Sequence, residues 1–171
     1  MKITKFFVAQ LILLSFVMYS ASAAEAPYSV KITAPSEVFH VGEEVHVKIT
    51  VTNTSNQPIT LVETSHVCDY IIEVRDETGK LVPDTPFKRQ HGCIARPSAS
   101  GRNMLVPLQQ GESYDLEISL SELSDITLPG RYSVQIQRKD KNESANSVAK
   151  SNILTIAVLP ADDLAGGPVM K

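Results

Sequence analysis

Glu44-Val45-His46-Val47-Lys48-Ile49-Thr50-Val51-Thr52-Asn53 alternates between apolar and polar side chains. Val45, Val47, Ile49 and Val51 leave one face of an extended chain; His46, Lys48, Thr50 and Thr52 leave the other. An antiparallel strand with one buried and one solvated face reads this way. The same period of two extends outward. Upstream, residues 28–33 place Val30 and Ile32 together. Downstream, a polar turn over 53–58 leads to a strand at 59–63, then to 70–76, where Tyr70, Ile72 and Val74 alternate. Glu77-Thr78-Gly79 turns that strand into a short return, Lys80-Leu81-Val82. After a loop over 83–101, strands are expected at 103–108, 114–120, 131–138 and 152–159. Pro107 withdraws a donor and makes the first of these an edge. Residues 121–124 fit a single helical turn, and Tyr132, Val134 and Ile136 are expected inward. A polar loop covers 139–150, and 161–171 carries no pattern, as a frayed tail would. About eight short strands with no useful helix predict an all-β, immunoglobulin-like antiparallel β-sandwich. A closed barrel suits the irregular strands and long loops less well.

Residues 1–24 are of another kind. Lys2 and Lys5 form a basic start, 6–18 is apolar apart from Gln10 and Ser15, and Ala21/Ala23 or Ser22/Ala24 supply small residues before a cleavage point. This is the pattern of a cleaved signal peptide, too short for the ~20 residues that span a bilayer. The folded domain is then expected over 25–160. No cysteine precedes Cys68, which excludes lipid attachment at a new N-terminus. No second long apolar run follows, so no membrane anchor is expected in the mature form, and the expected location is periplasmic or secreted. The formal charge of −3 becomes more acidic when Lys2 and Lys5 leave. That argues against nucleic acid as a partner. Sequons at Asn53 and Asn142 fall in expected loops and matter only in a glycosylating host; the signal and its Ala-rich site read as bacterial.

Four segments in order carry a further pattern: 51–61 (VTNTSNQPITL), 69–80 (DYIIEVRDETGK), 108–114 (LQQGESY) and 128–134 (LPGRYSV). This order resembles bacterial immunoglobulin-like domains, and among them the BsuPI-type proteinase-inhibitor domain family. The resemblance covers about half the chain. It implies an eight-stranded sandwich and protease binding. Its motifs are structural: Asn and Gly make turns, and Pro-Gly-x-Tyr is similar to the tyrosine that pins a corner. No functional residue is carried over. The chain departs from the pattern in its export signal and in a Cys-containing insertion near 84–101.

His-x-Cys occurs twice, as His66-Val67-Cys68 and His91-Gly92-Cys93. In an oxidising compartment the expectation is a disulfide, Cys68–Cys93. Closing that loop stabilises the fold by roughly 3 kcal/mol on chain-entropy grounds. The alternative is a zinc or copper site made of His66, Cys68, His91 and Cys93, whose ligand types suit a tetrahedral ion. From 80 to 102 the basic residues Lys80, Lys88, Arg89, Arg96 and Arg102 face a single acid, Asp84. A disulfide-braced basic loop, with Lys88, Arg89 and Arg96 at its heart, could enter a partner's cleft. The bland alternative is a solvated loop. Glu43, Glu44, His40 and His46 read as surface. No Gly-x-Ser-x-Gly, His-Glu-x-x-His or phosphate-binding glycine loop is present. The expected function is therefore an exported, non-catalytic binding or accessory module without cofactor, its partner a protein or envelope component. A secreted proteinase inhibitor and a metal-binding protein are the alternatives.

Overall fold

The computed structural model describes residues 26–92, 103–139 and 148–161. Among them are ten strands: β1 (Tyr28–Thr33), β2 (Val38–His40), β3 (His46–Asn53), β4 (Ile59–Glu63), β5 (Tyr70–Arg75), β6 (Met104–Leu108), β7 (Ser113–Ser119), β8 (Gly130–Lys139), β9 (Val148–Lys150) and β10 (Leu154–Leu159). Three short helices intervene: α1 (His66–Asp69), α2 (Pro86–His91) and α3 (Leu120–Leu123). The architecture is the expected immunoglobulin-like sandwich. The alternating stretch is β3, the centre of a sheet ordered β1-β3-β7, with Val47, Ile49 and Val51 fully buried. The second sheet runs β2-β10-β8-β5, and β4 pairs with β6. Inward side chains of both main sheets, among them Ile32, Ile49, Val74, Val134 and Ile156, form one core.

Two devices join the sheets. After β1 the chain crosses over, and β2 pairs parallel with β10. The other device is a bulge. β9 and β10 follow the same edge of β8, but Gln137 faces Lys150 while Val134 faces Leu154. Three residues, 151–153, thus oppose two of β8. Ser151 Oγ accepts from Ile136 N at 3.0 Å. Asn152 turns its amide toward β1: Oδ1 accepts from Ile32 N at 2.9 Å and Nδ2 donates to Ile32 O at 3.1 Å. One side chain thereby satisfies both backbone groups of a strand residue.

Several expectations are met. Among the described residues β6 pairs with β4 alone, Pro107 lying opposite Thr60. Residues 120–123 form the helical turn. Tyr132 Oη donates to Leu128 O at 2.7 Å and pins the corner into β8. Asn53 makes its turn from inside: it is buried, Nδ2 donates to Gln57 O (2.8 Å) and Leu108 O (3.0 Å), and Oδ1 accepts from Ser55 N (2.9 Å). Its amide is fully occupied, so this sequon is closed to glycosylation in the folded domain. Other details differ. The return over 80–82 is reduced to a bridge between Arg75 and Leu81, α2 and β9 stand where loops are expected, and β2 and α1 were not anticipated. The signal segment, Asn142 and the tail beyond residue 161 lie outside the described residues.

Candidate functional site

The two His-x-Cys elements frame α1 and α2. In α1, Cys68 N and Asp69 N both donate to Ser65 O at 2.8 Å. Asp69 is buried, and its carboxylate accepts from Thr64 N (2.6 Å), Thr64 Oγ1 (2.6 Å) and Ser65 N (3.1 Å), closing the turn on itself. In α2, Thr85 caps the N-terminus by accepting from Lys88 N at 3.1 Å. Pro86 takes the first turn, where no N–H is needed. Lys88, Arg89 and His91 occupy its last turn.

No residue of α2 is buried. Its anchorage comes from flanking backbone. Asp84 bridges to Ser124, Asp125 N donates to Pro83 O at 2.9 Å, and Thr85 N donates to Leu123 O at 3.3 Å. Thr85 Oγ1 also donates to Glu122 O. The segment is therefore fastened along α3.

The predicted binding residues fall as follows. Lys88 Nζ pairs with Asp84 Oδ1 at 2.6 Å, and Arg89 donates to the Asp84 carbonyl. Both cations thus fold back over the N-terminal side of α2. Arg96 lies outside the described residues. His91 stacks on Phe87 with ring centroids 4.5 Å apart, and its Nδ1 donates to Phe87 O at 3.1 Å. Nε2 is then the nitrogen that could meet a metal. Cys68 is exposed on α1. Cys93 and the side chain of His66 lie outside what is described. No free cysteine and no group of three metal-ligating side chains occurs among the described residues.

α1 and α2 border one groove of about 430 Å³. Val67, Phe87, Ile118 and Leu123 give it apolar walls, and Glu44, Glu117 and Glu122 stand around it. His46 lies between two of these acids: Nε2 is 3.1 Å from Glu44 Oε2 and Nδ1 is 3.2 Å from Glu117 Oε1. Lys48 lies opposite Glu117 on the paired strand, yet its Nζ goes to Asp115 Oδ2 at 2.8 Å. Among the described residues, no lysine or arginine lines the groove. Sequence reading left His46 and Glu44 as surface residues. The available signal was their spacing of two, which puts both on one side of an extended chain.

A second cluster lies inside the sandwich and was not anticipated. Arg138, 3% exposed, donates to Glu63 Oε1 and, at 2.8 Å, to Tyr70 Oη. Its guanidinium lies over the Tyr70 and Tyr28 rings, 5.0 and 5.7 Å from their centroids. Burial pushes the Glu63 carboxyl above its ordinary value; Arg138 opposes this, and the nearby Asp69 carboxyl reinforces it. Burial likewise pushes the Tyr70 phenol well up.

No protein-family model and no curated relative matches the chain. Among solved structures, the CARDB domain of the PF1109 protein from Pyrococcus furiosus is 18% identical, with 78% of this chain and 94% of that one covered and a TM-score of 0.38. The same domain in complex with di-metal ions gives 18% identity, coverage of 77% and 87%, and a TM-score of 0.36. A beta-glucosidase from Listeria innocua in complex with isofagomine is 16% identical over 78% of this chain, with a TM-score of 0.41. The chain spans only 16% of that enzyme's length.

Proposed function

We propose that this chain is an exported, non-catalytic binding module of the cell envelope, and that it recognises its partner through the corner where α1, α2 and α3 meet. One observation carries this. α2 buries none of its side chains, yet its flanking backbone is tied firmly to α3. A helix held in place without serving the core is suited to present its surface, and holding it beforehand lowers the ordering cost of binding. The export signal, read from residues 1–24, supports the location. The Cys68–Cys93 clasp belongs to the same proposal. Cys68 sits in α1, Cys93 comes two residues after the end of α2 in the sequence, and both helices border one groove. Titration of free thiols in the denatured, metal-free protein tests the clasp. Two free thiols, protected by added zinc, would favour the His66-Cys68-His91-Cys93 metal site instead.

The partner is sought by affinity capture from the host's envelope fraction, comparing the native protein with Phe87→Ala and Arg89→Glu. Capture of one protein that both substitutions weaken, at unchanged thermal midpoint, supports the assignment. Capture indifferent to both refutes it. The proteinase-inhibitor version rests on the sequence resemblance, and titration against a panel of proteases tests it.

A further inference from the structure

The groove beside α2 carries a sign opposite to the helix's own cations, and that sign selects an occupant. Three carboxylates surround apolar walls supplied by all three helices and by β7. Among the described residues, Lys48, Lys88 and Arg89 are turned elsewhere: Lys48 pairs with Asp115, Lys88 with the Asp84 carboxylate, and Arg89 donates to the Asp84 carbonyl. Two of the carboxylates each direct one oxygen at a different ring nitrogen of His46. Each of these two has a second oxygen to offer, already positioned. Phe87, 43% exposed, supplies an aromatic wall. Apolar walls, fixed acceptors and an exposed ring suit a long cationic side chain: its aliphatic stem lies on the apolar surface while its head meets the carboxylates.

We infer that the groove binds a partner peptide segment carrying an arginine or lysine next to a bulky aliphatic residue. This rests on the helical corner being the recognition surface and adds the partner's chemistry. Acidic or purely apolar segments are disfavoured, because burying groove carboxylates against them leaves those charges unpaired.

A random-sequence displayed peptide library selected on the purified full chain tests it. Enriched peptides are expected to pair Arg or Lys with Leu, Ile or Val. Synthetic versions with Glu in place of the cation should bind at least about tenfold more weakly, as should the parent peptides on Glu117→Lys protein. Because Glu117 also contacts His46, Glu122→Lys, which leaves the His46 contacts intact, repeats the measurement. Enrichment of acidic peptides, absence of any binder, or affinity unchanged in both groove variants overturns the inference. If binding responds to Arg89→Glu but not to the groove variants, the inference fails while the helical corner stands as the recognition surface. Indifference to all of them removes both.

Discussion

Arg138 continues the inward series Tyr132, Val134, Ile136, so the pleat itself carries a guanidinium into the core. Burying it is tolerable because Glu63 supplies the counter-charge, Tyr70 and the Val62 carbonyl accept further hydrogen bonds, and two aromatic rings face it. The pair is weak evidence for stability in itself, since desolvation offsets much of the attraction. Breaking it is another matter. Arg138→Ala leaves Glu63 and Asp69 buried together without a cation, and should cost about 3–5 kcal/mol in denaturant unfolding. Glu63→Gln keeps an acceptor for Arg138 and should cost less. Equal losses for the two variants would show that the unpaired buried charge common to both, and not the packing lost only in Arg138→Ala, dominates. The inward phase of Arg138 was legible in the sequence. Its partner was not, because Glu63 lies 75 residues earlier and only the fold brings β4 against β8.

The strongly alternating elements, β1, β3, β5 and β8, were legible because burial on one face imposes period two on the sequence. Elements without such a face were not. α2 has no buried side chain and so no apolar spacing; only Thr85-Pro86 marked its start. The groove inherited that blindness, since one of its walls is α2. β9 and β10 read as loop and strand because the bulge shifts the pattern by one residue. That bulge makes Asn152 the most informative element-scale target. Asn152→Ala removes both hydrogen bonds to Ile32 and leaves a backbone N–H and carbonyl to find water. A loss of about 1–3 kcal/mol is expected. Amide exchange should quicken first at Ile32, with the centre of β3 unaffected. Uniform acceleration across both sheets would mean instead that the bulge is coupled to global unfolding.

For the whole molecule, the buried and exposed carboxyls pull stability in opposite directions as pH changes. Glu63 has a folded-state value raised by burial, against the opposition of Arg138. Just above the ordinary Glu value of about 4.3, the native state therefore holds a proton that the unfolded chain has released. Stability falls as pH rises through that window and recovers as pH is lowered through it. Asp76 and Asp115 behave oppositely. Hydrogen bonds from Thr78, and from Lys48 and Thr50, hold their carboxyls below the ordinary value. Below about 3.9 the unfolded chain takes up protons first, and the stability these two contribute is lost as pH falls. The thermal midpoint should accordingly peak at about pH 4, between the two windows. Glu63→Gln has no proton to exchange, so it should flatten the limb above the peak and leave the acid limb in place. Midpoints measured from about pH 7.5 to pH 3 on both proteins decide this. Parallel curves throughout would mean that some other group sets the upper limb and that the Glu63–Arg138 pair stays ionised across the range.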